Sequence, residues 1–145
     1  MTSFQEVYDY FLAKITAYNE YNNLTIEELE IELKQLLRAS FAECVSFKDT
    51  SADYILNEFN RELTDLEMNI ISYNMVVHYL SPKINNVELL KQSLSSKDYQ
   101  MYSQANHLKE LMDLRSNSIQ QFHYWMNRYG YLKRLQNPKK AKVWQ

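Results

Sequence analysis

His107 and Glu110 stand three positions apart, a spacing that puts an imidazole and a carboxylate on one face of a helix, as metal ligation or acid–base work requires. They are the pair nearest to chemistry in this chain. The other histidines, His78 and His123, are isolated in the sequence, and the inward-facing Glu plus Glu-x-x-His sets of di-iron helical bundles are missing. Cys44 is the single cysteine, which excludes an internal disulfide and any multi-cysteine zinc or iron–sulfur site. Its place on an apolar helix face predicts an inert thiol. No spacing proposes a Ser/His/Asp or Cys/His arrangement. One glycine and two prolines leave no glycine-rich loop to cradle phosphate and little turn chemistry for a β-sandwich. The expectation is a non-enzymatic protein without catalytic, cofactor-binding or metal-binding residues, in which His107 is a surface or interface hydrogen bonder.

A second group can meet a partner. Lys133, Arg134, Lys139, Lys140 and Lys142, with Tyr129, Tyr131 and Trp144, form a basic and aromatic cluster suited to phosphates or to an acidic protein surface. A sequence pI near 5.9 argues against a dedicated DNA-binding domain. The charge is unevenly distributed: residues 1–70 hold 14 acids and 5 bases, a net of −9, whereas residues 71–145 hold 4 acids and 11 bases, a net of +7. Such halves either neutralise each other within one monomer or attract neighbouring copies. Twelve tyrosines suit partly wet subunit interfaces, although an AT-rich coding sequence accounts for them equally well.

The elements that must position these residues are helical. At 145 residues the chain is one domain's worth. It has no apolar run of the roughly 18 residues that a membrane span needs and no basic signal-peptide start, so it reads as soluble and unprocessed. Ser3 with Glu6, Thr25 with Glu28 and Thr64 with Glu67 are capping boxes. The first predicts a helix to about Asn22 with Phe4, Val7, Tyr8, Phe11, Leu12, Ile15 and Tyr18 as its stripe. The second predicts a helix burying Ile26, Leu29, Leu33, Leu36, Leu37, Phe41 and Cys44. Residues 48–52 read as a loop, and 53–61 as a short helix or extended linker. The third box opens a helix with Leu66, Ile70, Tyr73, Val77 and Leu80 inward, stopped at Ser81-Pro82. A short helix over 87–94 follows. The last and longest runs from about Lys97 to Tyr129, with Met101, Ala105, Leu108, Met112, Arg115, Ile119, Phe122, Met126 and Tyr129 as a heptad seam and Gly130 as its stop. The expected fold is all-α, four to five helices over 1–135, with an extended basic tail at 136–145. Trp144 in that tail either folds back onto its own core or anchors in another subunit.

The order of these features resembles a known family. The Leu63-Thr64-Asp65-Leu66-Glu67 helix start, the Tyr79-Leu80-Ser81-Pro82 stretch and the run Lys97-Asp98-Tyr99-Gln100-Met101-Tyr102-Ser103-Gln104-Ala105-Asn106-His107-Leu108 opening a long helix resemble head–tail connector (adaptor, neck) proteins of tailed bacteriophages infecting low-GC bacteria. The resemblance covers about residues 25–135. It implies a helical subunit that forms a closed ring of neighbouring copies, about twelve, docked beneath the portal protein. Such a ring joins tail or stopper proteins, lies in non-specific proximity to packaged DNA and touches no membrane. The place implied is the virion neck, with host cytoplasm as the site of assembly. It further implies that the carboxyl-terminal extension reaches the portal: Asn137, Pro138, Lys139, Lys140, Lys142, Val143 and Trp144 are the expected partner-binding residues. The alternative is a helical nucleic-acid-associated regulatory protein using the same basic tail.

Overall fold

Three local devices start the fold. The computed structural model describes residues 1–16, 21, 24–93 and 98–136, with backbone alone over 87–93 and 98–106. In it the Ser3 amide donates to the Glu6 carboxylate at 2.9 Å and opens α1, Phe4–Lys14. The Thr25 hydroxyl accepts from the Glu28 amide at 3.2 Å at the start of α2, Ile26–Ala42. The Thr64 hydroxyl accepts from the Glu67 amide at 3.2 Å at the start of α3, Asp65–Ser93. First-turn amides have no acceptor within their own helix, which is why each of these pairs fixes a boundary. With α4, Asp98–Gln136, the architecture is all-α; the only strands among the described residues are β1, Ala52–Asp53, and β2, Glu58–Phe59.

Helix α3 is the axis against which α1, α2 and α4 pack. Ile70, Ile71, Met75, Val76, Tyr79 and Leu80 are all buried, so α3 is apolar around most of its circumference, as a central helix must be. Phe4, Val7 and Phe11 of α1, Ile15 just past its end, and Leu33 and Leu37 of α2 share one core with them. Ile26, expected inside with them, is 78% exposed because it starts α2 at the rim.

Several boundaries differ from expectation. Helix α1 ends at Lys14, not near Asn22: the β-branched pair Ile15-Thr16 follows, the Ile15 amide turns back to the Leu12 carbonyl at 3.3 Å, and the Thr16 hydroxyl donates to the Ala13 carbonyl at 3.0 Å. Tyr18 lies outside the described residues. The stretch 53–61 is neither helix nor linker but an antiparallel hairpin pairing Ala52 with Phe59 and Asp53 with Glu58. Its turn is built by the Asp53 carboxylate, which accepts from the amides of Ile55 at 2.9 Å and Leu56 at 3.0 Å, and by Asn57 at φ 56°, a conformation asparagine tolerates. The amino terminus extends the pairing, with the Phe59 amide donating to the Thr2 carbonyl and the Phe4 amide to the Asn57 carbonyl, both at 2.9 Å.

Pro82 does not stop α3. The helix continues through the stretch expected as a separate short one, because Leu80 and Ile84 on either side are buried while the proline itself is exposed, so its ring points away from the packing. Gly130 does not stop α4, which runs to Gln136 and measures about 58 Å at 1.5 Å per residue. The predicted seam finds its partner inside the chain, in α3, but in a shifted phase. Leu108, Leu111, Ser118, Phe122 and Tyr129 are buried, with Arg115 and Trp125 half-buried in the same heptad file, and Met112 turns outward at 44% exposure. The alternate contacts thus fall one residue before Met112, Ile119 and Met126.

Candidate interaction surfaces

Glu67 is the one charged side chain in the core among the described residues. The Arg61 guanidinium holds both carboxylate oxygens, with Nη1 3.0 Å from Oε1 and Nη2 on Oε2. The Thr64 amide donates to Oε1 at 3.0 Å and the Tyr129 hydroxyl to Oε2 at 2.8 Å. Burial alone raises the pKa of this carboxyl, but the bonds from Arg61, Thr64 and Tyr129 and the arginine charge outweigh it and bring the group down to about 2. The Tyr129 phenol is pushed far up, first by burial and then by the carboxylate it serves. Arg61 also reaches the Thr50 hydroxyl at 2.8 Å and the Asp49 carboxylate at 3.6 Å. A carboxylate so fully bonded has no lone pair for proton transfer near neutrality. This knot ties the hairpin, the start of α3 and the end of α4 together, and it shows that the last two helices run antiparallel.

The residues with chemical potential in the sequence do not converge. His107 and Glu110 are both exposed on α4. The His78 imidazole pairs with Glu43, and His123 is an exposed neighbour of the Phe122 ring. The Cys44 thiol is buried against the Ser40 carbonyl at 3.4 Å, and burial, with the nearby Glu43 charge, pushes it up to about 12, so it stays protonated. Among the described residues no group of three or more His, Cys, Asp or Glu is placed to hold a metal ion.

Two exposed surfaces stand out instead. The first is a groove of about 530 Å³ between the start of α1, the outer face of α2 and the hairpin turn. Tyr8, Ile31 and Leu56 give it an apolar floor, and Glu27 and Glu30 an acidic wall, beside Lys34. Ile31 is 59% and Leu56 66% exposed. Glu28 and Glu32 continue the acidic face of α2. Leu29, Leu33 and Leu37 turn toward the core, which leaves Ile31 on the opposite side of the helix.

The second surface is the outer face of α4. Tyr124, Arg128, Tyr131 and Leu135, at steps of four, three and four, are all exposed. They form a file separate from the one packed on α3. Lys133 and Arg134 lie alongside, with Lys133 Nζ 5.5 Å above the Tyr129 ring. The helix end is therefore apolar and basic where the α2 groove is apolar and acidic. No residue of α4 lines that groove.

The groove is not apparent from the sequence alone, and of the α4 surface the basic and aromatic cluster read in the sequence includes Tyr131, Lys133 and Arg134 but not Tyr124, Arg128 or Leu135. The other signals in the sequence are Ile31 out of register with its leucines, and Tyr124 and Tyr131 out of register with the seam. The tail residues expected to bind partners, Asn137, Pro138, Lys139, Lys140, Lys142, Val143 and Trp144, lie outside the described residues. No helix among the described residues is long and apolar enough to cross a membrane. The chain matches no protein-family profile, no curated protein and no solved structure.

Proposed function

We propose that this chain is a non-enzymatic structural adaptor, a head–tail connector subunit of a tailed bacteriophage. It assembles with neighbouring copies into a ring, docks on the portal protein and joins it to tail or stopper proteins in the virion neck, after a cytoplasmic stage of assembly. The observation that carries this reading is the end of α4. Residues 131–136 are all exposed and lie past Tyr129, the last buried side chain among the described residues. The helix end is therefore open to a partner, and in this reading Lys139, Lys140 and Lys142 of the basic segment that follows meet an acidic surface while Val143 and Trp144 fill apolar pockets.

Deleting 137–145 tests it. The truncated chain is expected to keep its thermal unfolding transition and to lose attachment to the portal, read as virions or neck complexes lacking the protein. Normal incorporation of the truncated chain would reject tail docking. A second reading, a nucleic-acid-associated regulator, draws on the exposed Arg128, Lys133 and Arg134 beside Tyr131; the salt dependence of binding separates the two.

A further inference from the structure

We infer that the outer face at the end of α4 in one copy of this chain docks into the acidic groove between α1, α2 and the hairpin turn of the next copy. The inference rests on the adaptor reading and names the contact that builds its ring. Tyr124, Tyr131 and Leu135 form an exposed helical file flanked by Arg128 and Arg134. The groove offers Tyr8, Ile31 and Leu56 beside an acidic wall of Glu27 and Glu30, with Lys34 at its edge. An amphipathic helix laid into an apolar groove with walls of opposite charge is a standard mode of recognition. The two surfaces come from different elements, so the contact is head-to-tail: each copy uses its groove for one neighbour and its helix end for the other. Contacts of that kind close into rings when the rotation permits. They also explain why the acidic excess gathers in residues 1–70 and the basic excess after them, since like charges at such a contact would repel.

Charge reversal in trans tests this. One variant carries Glu27→Arg with Glu30→Arg, the other Arg128→Glu with Arg134→Glu; all four positions are exposed. Unchanged thermal unfolding then shows that both fold. Each protein is treated at high concentration with an amine-reactive bis-succinimidyl ester, which bridges lysines of touching copies such as Lys34 and Lys133 and leaves the four substituted positions out of the chemistry, and covalent multimers are read on a denaturing gel. The native chain is expected to give a ladder, and each variant alone to lose it by at least about tenfold. An equal mixture of the two is expected to regain it, because in an alternating assembly every groove again faces a helix end of opposite sign. A native chain that gives no ladder, variants that cross-link like the native chain, or a mixture that stays monomeric each overturns the inference. Neck attachment is scored separately. A chain that joins the particle yet never cross-links to itself removes this contact and leaves the adaptor reading; the reverse pattern removes the adaptor reading and leaves the contact.

Discussion

At the scale of single residues, the Glu67 knot decides how the molecule responds to acid. Its carboxyl lies at about 2 in the folded chain against an ordinary 4.5, so its contribution to stability is complete above about pH 4.5 and drains away as pH falls through about 2. The melting temperature is therefore expected to drop across that window, and Glu67→Gln to flatten the drop while lowering stability near neutrality by about 2–4 kcal/mol, because Arg61 keeps its place without its charge partner. An equally steep acid transition in the Gln variant would show that other carboxyls are responsible. Tyr129→Phe removes only one bond to a charged acceptor and should cost less, about 1.5–3 kcal/mol by denaturant unfolding. Of the partners of Glu67, Thr64 was legible in the sequence, because the two form a local four-residue capping pattern. Arg61 and Tyr129 were not: the tyrosine is 62 positions away, and no local rule brings it there.

At the scale of elements, what was legible is what a few consecutive residues settle by themselves. The three capping boxes set helix starts correctly because their bonds close within one turn. The ends failed where packing overrides local preference. Pro82 and Gly130 are both ordinary stop signals, yet buried Leu80 and Ile84 carry α3 past the first, and Tyr129, locked to Glu67, holds α4 at the second. The backbone at Gly130 does not require a glycine, since a Cβ there meets nothing within 4 Å and its φ is not positive. Gly130→Ala is expected to stabilise the protein by about 0.5–1 kcal/mol, seen as a higher denaturation midpoint at unchanged m-value. Destabilisation instead would mean that the helix end bends in solution in a way that needs glycine. The hairpin escaped notice for the opposite reason. Its strands are two residues long, too short for alternation to register, and part of its pairing comes from Thr2 and Phe4 at the far end of the chain.

At the scale of the whole molecule, the uneven charge was readable by counting, but the surfaces that express it were not. Counting cannot tell that Ile31, Tyr124 and Tyr131 face solvent, because exposure is settled by which side of each helix the axis α3 claims. The same distribution separates the two functional readings by their response to salt. An adaptor meets duplex DNA only through proximity, with the lysines at 139, 140 and 142 as its available contacts and the acidic half of the molecule repelling phosphate. Three neutralised phosphates give a slope of log affinity against log salt of about −2.7. A regulator that also laid Arg128, Lys133 and Arg134 on the backbone would release twice as many counterions, for a slope of about −5. The expected result for random duplex is weak binding with the shallower slope, unchanged when Arg128, Lys133 and Arg134 are replaced by alanine. A slope near −5 that those replacements flatten would move the end of α4 from a subunit contact to a nucleic-acid interface, and the adaptor reading would yield to the regulator.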